Sequence, residues 1–216
     1  MADVNRVIAA LRKETRKFTV PIVSAVALER KNPYLILISC ILSLRTRDKT
    51  AAEASARLFR AADSPAAMFE LGRAAVQKRI YPVGFYRVKA SAIIRMSRKI
   101  LDEHAGKVPR TIEGLLALPG VGRKTANLVL GLGYRIPAIC VDTHVHRISN
   151  ILGWVNTRTP EETEYALQKL LPKKYWIEIN ELLVIYGQNI CQPVSPWCSR
   201  CVIRRECARK GVVKSR

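Results

Sequence analysis

The sequence predicts an all-α protein, and three observations carry that expectation. Apolar residues recur at helical spacing, as in Val4, Val7, Ile8 and Leu11, which follow the i, i+3, i+4, i+7 rule. Helix-start signals recur as well: Ser64-Pro65 and Thr159-Pro160-Glu161-Glu162 each set a capping hydroxyl before a proline suited to the first helical position. Strand-like sequence is scarce. Ile136-Pro137-Ala138-Ile139-Cys140-Val141 is the best candidate, and it is short.

Taken in order, the first helix runs into the basic stretch Arg12-Lys13-Glu14-Thr15-Arg16-Lys17. Asn32-Pro33 marks a stop and a new start. The segment Tyr34 to Leu44 is apolar except for Ser39 and Ser43; at 11 residues it falls short of the ~20 needed to span a bilayer. It reads as a buried helix. Thr46 or Asp48 is expected to cap a helix through Ala51, Ala54, Ala56 and Leu58. Ser64-Pro65 opens a short helix. Ser91 to Glu103 is amphipathic, with Ile93, Ile94, Ile100 and Leu101 on one side and Arg95, Arg98 and Lys99 toward solvent. Gly106 and Pro109 then break the chain, and His104 is expected at the surface. Leu115, Leu116 and Leu118 end the next helix. Thr159 opens one more, with its acids in the first turn. No internal repeat or low-complexity tract is visible.

Composition bounds the function. A chain of 216 residues with 49% hydrophobic content can build a core in one or two domains. That excludes general disorder, and 11 Gly with 11 Pro exclude a collagen-like chain. Met1-Ala2-Asp3-Val4-Asn5-Arg6 has neither an apolar core region nor a small-residue cleavage site, so no secretory signal is expected and the protein is read as cytoplasmic. The 37 Lys and Arg against 17 Asp and Glu leave a formal charge of +20. Such an excess is large for solubility alone and points to nucleic acid as the partner.

Two clusters carry chemistry. Leu118-Pro119-Gly120-Val121-Gly122-Arg123-Lys124-Thr125-Ala126 reads as a tight hairpin between helices, with Gly120 and Gly122 allowing close backbone approach. Val121, Thr125, Val129 and Leu132 lie near one stripe of the second helix, and Lys124, Asn127, Leu128 and Gly131 on another. Free N–H groups at such a turn make a phosphate seat, although an ordinary helical hairpin with Lys124 as a solvated charge fits the turn equally well. Eighteen residues on stands Asp142, in Cys140-Val141-Asp142-Thr143-His144-Val145-His146-Arg147. Asp142 suits the N-cap of a helix starting near His144. His144 and His146 lack a third metal ligand nearby and read as hydrogen-bonding residues.

Six cysteines are too few for a disulfide scaffold, and Cys191, Cys198, Cys201 and Cys207 crowd together as C-x6-C-x2-C-x5-C. Four thiolates so spaced can close around one inorganic centre, zinc or iron–sulfur. Two disulfides are disfavoured in a reducing compartment. Cys40 and Cys140 sit in apolar runs and read as core thiols.

Together the Leu118–Ala126 hairpin, Val141-Asp142-Thr143-His144, the segment Tyr81-Pro82-Val83-Gly84-Phe85-Tyr86 and the cysteine spacing resemble the endonuclease III branch of the helix–hairpin–helix DNA glycosylases, over nearly the whole chain. The resemblance implies two helical domains with a cleft between them: residues 25–136 as a six-helix barrel, and residues 1–24 plus 137–216 as the cluster domain. It implies that the four cysteines hold a [4Fe-4S] cluster, that Lys124 is the nucleophile and that Asp142 is the catalytic carboxylate. An amine attacking C1′ of a nucleotide displaces the base, leaves a Schiff base and permits strand cleavage by β-elimination. A lysine in water titrates near ~10.4, so such chemistry needs surroundings that favour the neutral amine; burial and a helix N-terminus do so, and a close carboxylate opposes them.

The same resemblance implies base extrusion aided by Arg45 and Phe85, where bacterial relatives commonly carry Gln and Leu. A core position is the plainer reading of Phe85. Gly120, Gly122 and Arg123 are expected at phosphate, with His144, Arg147, Arg200 and Arg204 as further DNA contacts. The first cysteine loop, Gln192-Pro193-Val194-Ser195-Pro196-Trp197, lacks the basic residues common in the family; charge comes later, at Arg200, Arg204, Arg205, Arg209, Lys210, Lys214 and Arg216. The implied activity is a monomeric bifunctional DNA glycosylase and AP lyase of base excision repair, acting on oxidised pyrimidines such as thymine glycol in duplex DNA and on abasic sites, at the nucleoid and away from membranes. Two rivals are a mismatch-specific glycosylase, whose relatives usually lack lysine at this position, and a non-catalytic, redox-responsive DNA-binding iron–sulfur protein.

Overall fold

The computed structural model describes residues 3–216; Met1 and Ala2, which open the segment read for a secretory signal, lie outside the described residues. The helices are α1 (Val4–Thr15), α2 (Ile22–Arg30), α3 (Pro33–Ser43), α4 (Asp48–Phe59), α5 (Pro65–Ile80), α6 (Tyr86–His104), α7 (Ile112–Leu116), α8 (Arg123–Leu128), α9 (Thr143–Leu152), α10 (Pro160–Leu170) and α11 (Glu178–Asn189). A π-helical turn, Val129–Gly133, continues α8. Among the described residues there is no strand, and no helix is long and apolar enough to cross a membrane. The chain is all-helical. It forms two compact units: Ile22–Ile136, and the chain up to Pro21 joined to Pro137–Arg216.

In the unit Ile22–Ile136, α3 is the central rod. Every residue from Tyr34 to Leu42 is buried, which is why the segment is apolar all round rather than on one stripe. Asn32 caps it, its side-chain oxygen accepting from the N–H groups of Tyr34 and Leu35. The Tyr34 hydroxyl, buried in this rod, shares a 2.6 Å hydrogen bond with Ser97 of α6. Ser64 caps α5 as expected, but α5 runs 16 residues with a kink where Gly72 takes φ +76°. Two expectations fail here. Arg47, not Thr46 or Asp48, stands at the start of α4 and makes no side-chain cap. The Thr46 hydroxyl is engaged elsewhere, and the Asp48 carboxylate accepts from the Ile22 N–H at 3.0 Å, tying down the start of α2. His104 is half-buried rather than at the surface, because its ring turns inward at the end of α6 and its Nε2 is enclosed.

In the other unit, Val7, Ile8 and Leu11 of α1 are fully buried with Val145, Ile148, Ile179, Leu183 and Tyr186. The spacing that predicts α1 therefore also marks its buried face. The candidate strand, residues 136–141, is not a strand. A single extended segment has no partner for its backbone groups, so it crosses the core as irregular chain, with Ile139 and Val141 buried and the Cys140 carbonyl accepting from Asn180 Nδ2 at 3.1 Å. The Thr159 cap holds as expected, its hydroxyl accepting from the Glu162 N–H.

Helices α9 and α11 approach closely at Gly187, where a Cβ would overlap the His144 ring and sit 3.0 Å from the Ile148 Cδ1. Gly187→Ala is accordingly expected to push α11 off α9 and cost about 1–3 kcal/mol, read as a lowered midpoint in urea unfolding.

Candidate functional site

The hairpin is built from local bonds. Thr111 caps α7, accepting the Gly114 N–H at 3.1 Å, and the Val121 N–H closes the turn onto the Leu118 carbonyl. Leu118 and Val121 plug the turn into the core. Gly120 takes φ +79°, a backbone conformation that favours glycine, and a Cβ there would only touch Ala92 Cβ at 3.4 Å. Gly122 starts α8 without a side-chain cap and has open space where a Cβ would lie. The first turn of α8 therefore presents its backbone outward, with Arg123 beside it.

Lys124 stands in that first turn and is exposed, whereas Thr125, Ala126 and Asn127 are buried. Asn127 thus departs from the face expected for it with Lys124. The lysine's charge reaches inward to Cys40 on α3: burial pushes that thiol up to about 12, and Lys124 opposes the shift. Cys40 and Cys140 are both buried, and neither forms a disulfide.

Asp142 belongs to the other unit and caps α9. Its Oδ1 accepts from the N–H groups of His144 and Val145, both at 2.9 Å. The expected capping role is therefore present, and the carboxylate is held in one orientation at a helix N-terminus, where negative charge is favoured. The neighbouring histidines make separate contacts. His146 Nδ1 lies 2.6 Å from Thr163 Oγ1, and His144 Nδ1 lies 3.4 Å from Arg147 Nη2. Arg147 also reaches Cys191 Sγ at 3.8 Å, so its guanidinium ties α9 to the cysteine loop.

None of the six cysteines forms a disulfide. Cys191, Cys198, Cys201 and Cys207 line one pocket with Ile148, Leu152, Tyr186, Ile190, Trp197 and Ile203. Among the described residues, no three His, Cys, Asp or Glu side chains form a group able to hold a metal ion. The chemistry of the donor set is nonetheless specific. Arg147 Nη1 points at Cys191 Sγ, Tyr186 OH donates to Cys201 Sγ at 3.1 Å and the Arg209 N–H donates to Cys207 Sγ at 3.3 Å. Donors aimed at sulfur in an apolar shell are what thiolate ligands of an inorganic centre require. Burial raises the thiols of Cys191 and Cys207, so without a positive centre they stay protonated. The donor chemistry suits an iron–sulfur centre, while the four side chains are not gathered into one ligand group as they stand.

Arg216 answers the missing charge in the first cysteine loop. Its guanidinium donates to the Ser195 carbonyl and to Gln192 Oε1, and lies 4.0 Å from the Trp197 ring centroid, with Arg200 near the same ring at 5.5 Å. A cation thus folds back onto the loop from far along the chain, which spacing alone does not reveal. Arg204 is exposed on a short 3-10 turn.

Arg45 and Phe85 come together within the unit Ile22–Ile136. Phe85 is 59% exposed, which removes the core reading, and the Arg45 guanidinium lies 5.2 Å from its ring centroid. Both residues take positive φ, +51° and +57°. The Gly84 N–H donates to Thr46 Oγ1 at 3.2 Å, joining the two loops.

Comparison with known proteins places the chain and its fold among repair proteins. Residues 38–173 match the HhH-GPD superfamily base excision DNA repair protein family. The protein named Endonuclease III from Thermotoga maritima is 47% identical over 190 residues, covering 86% of this chain and 89% of its own. Endonuclease III homolog 2, chloroplastic, of Arabidopsis thaliana is 41% identical over 94% of this chain, which spans only 56% of that longer protein. Among solved structures, a trapped Endonuclease III–DNA covalent intermediate with an estranged adenine superposes with a TM-score of 0.81 at 30% identity, covering 97% of both chains.

Proposed function

The chain belongs to the HhH-GPD superfamily of base excision DNA repair proteins, and from that premise we propose how its own residues divide the work of repair. It is a DNA glycosylase with AP lyase activity. The observation that carries the residue assignment is the position of Lys124, an exposed residue in the first turn after the hairpin, in a fold similar to one trapped covalently on DNA.

In this reading the neutral Lys124 Nζ attacks C1′ of the extruded nucleotide, and the C1′–N bond to the base breaks with its electron pair. The C1′–O4′ bond then opens, O4′ taking a proton as the nitrogen lone pair forms the iminium, and that iminium acidifies C2′. Removing the C2′ proton expels the 3′ phosphate and cuts the strand. Asp142 supplies a carboxylate that stabilises positive charge developing on the sugar and accepts a proton from the amine. Gly120, Gly122 and Arg123 seat phosphate, and Arg45 and Phe85 fill the gap left in the stack. His144, Arg147, Arg200 and Arg204 complete the assigned DNA contacts, with Arg147 also facing Cys191. The substrate class is an oxidised pyrimidine, such as thymine glycol, or an abasic site in duplex DNA, acted on by a monomer in the cytoplasm. Cys191, Cys198, Cys201 and Cys207 would hold a [4Fe-4S] cluster, which when bound braces the loop that carries Arg200 and Arg204.

Two measurements test the reading. Incubation with abasic-site and thymine-glycol duplexes, followed by borohydride, is expected to yield a covalent protein–DNA adduct; its absence on both substrates overturns the lyase mechanism. Anaerobically purified protein is expected to be brown, with equal iron and acid-labile sulfide. Cys198→Ser is expected to lose both and to melt lower. Stoichiometric zinc without iron overturns the cluster assignment.

A further inference from the structure

Lys89 lies one turn into α6 and is 7% exposed. It takes no part in the chemistry above. Its ammonium carries three donors, and three acceptors meet it: the Leu42 carbonyl at 2.9 Å, the Leu44 carbonyl at 2.5 Å and Thr46 Oγ1 at 3.1 Å. The two carbonyls belong to the end of α3, whose last turn contains no basic residue of its own. Orphan carbonyls at a helix C-terminus attract a cation. Burial alone brings the lysine's pKa down to about 8, so the cation is kept there against a desolvation penalty.

The third bond goes further than capping. The Thr46 hydroxyl donates to the Leu44 carbonyl and accepts both from Lys89 and from the Gly84 N–H. It is the node that joins the loop after α3 to the loop before α6. The two backbones run so close that a Cβ on Gly84 would stand 2.7 Å from the Arg45 carbonyl oxygen. On either side of that contact, Arg45 and Phe85 sit at positive φ and stack at 5.2 Å. Residues in that region of backbone space persist only where their surroundings hold them.

We propose that Lys89 is a positioning residue which, through Thr46, clasps the Arg45 loop to the Phe85 loop so that both exposed side chains enter the duplex as one preset unit. The role rests on the glycosylase reading, because it gives Arg45 and Phe85 a stack to enter. A preset wedge has its ordering cost met before DNA arrives. A residue that merely stabilised the fold would affect every substrate alike.

The test compares wild type with Lys89→Met and Thr46→Val on two substrates: a thymine-glycol duplex with 2-aminopurine opposite the lesion, and a single-stranded abasic oligonucleotide that requires no extrusion. In Lys89→Met the ratio of duplex to single-strand kcat/KM is expected to fall about tenfold or more, with loss of the 2-aminopurine fluorescence rise. Thr46→Val, which leaves both carbonyl bonds to Lys89 intact, is expected to shift the ratio the same way by a smaller factor. An equal loss on both substrates, or none on either, overturns the proposal. Hydrogen exchange at the Gly84 amide separates this from failure of the glycosylase reading: should wild type form no adduct at all, faster exchange in both variants still supports the clasp, and unchanged exchange overturns it.

Discussion

Lys124→Ala is expected to abolish the borohydride-trapped adduct and to lower strand cleavage at abasic sites by about a thousandfold or more. The trapped species is the reduced Schiff base, so it needs a primary amine at the reacting carbon, and alanine supplies none. Lys124 is exposed in the first turn of α8, while its neighbours Thr125 and Ala126 fill the core. Alanine is also the stronger helix former, so stability should move by no more than about 0.5 kcal/mol. Lys124→Arg sharpens the result, keeping the charge near the hairpin while removing the nucleophile. Both variants should bind an abasic duplex and neither should be trapped. An adduct of undiminished yield in either would move the nucleophile elsewhere, and peptide mapping of that adduct would find it.

The second large effect is expected at Asp142, where two roles must be separated. Its Oδ1 accepts two N–H groups at the start of α9, and losing such a cap costs about 1 kcal/mol. The chemical role of a carboxylate is worth far more, about a hundredfold to ten-thousandfold in rate. Serine caps a helix nearly as well as aspartate but carries no charge. Asp142→Ser should therefore melt close to wild type while losing at least about a hundredfold in base release from thymine-glycol DNA. Asp142→Ala should show the same loss of rate and a lower melting temperature as well. If Asp142→Ser keeps near wild-type turnover, the residue is a cap only and the assigned acid–base role is wrong.

How far the chain could be read from its letters follows from the reach of each interaction. Ser64 and Thr159 were legible as caps because each bond spans only three residues. The Tyr34–Leu42 rod was legible because a helix buried on all sides must be apolar throughout. Thr46 was misread for the complementary reason. A hydroxyl in good capping position was claimed by Gly84 and Lys89, 38 and 43 residues away. Residues 136–141 looked like a strand because apolar β-branched residues suit one; without a neighbouring strand the same residues serve the core as irregular chain.

The candidate site divides in the same way. The glycine hairpin, the lysine that follows it, the capping aspartate and the cysteine spacing are properties of short stretches of chain. Pattern marks them, and the family resemblance assigns their roles. The donors facing the cysteine sulfurs, the return of Arg216 onto Gln192 and Ser195, and the clasp of Lys89 on the α3 terminus join atoms from distant segments. Nothing in a linear pattern marks Lys89, among the 37 cationic residues, for burial. Packing selects it, since a charge excluded from water must find its acceptors wherever folding happens to bring them.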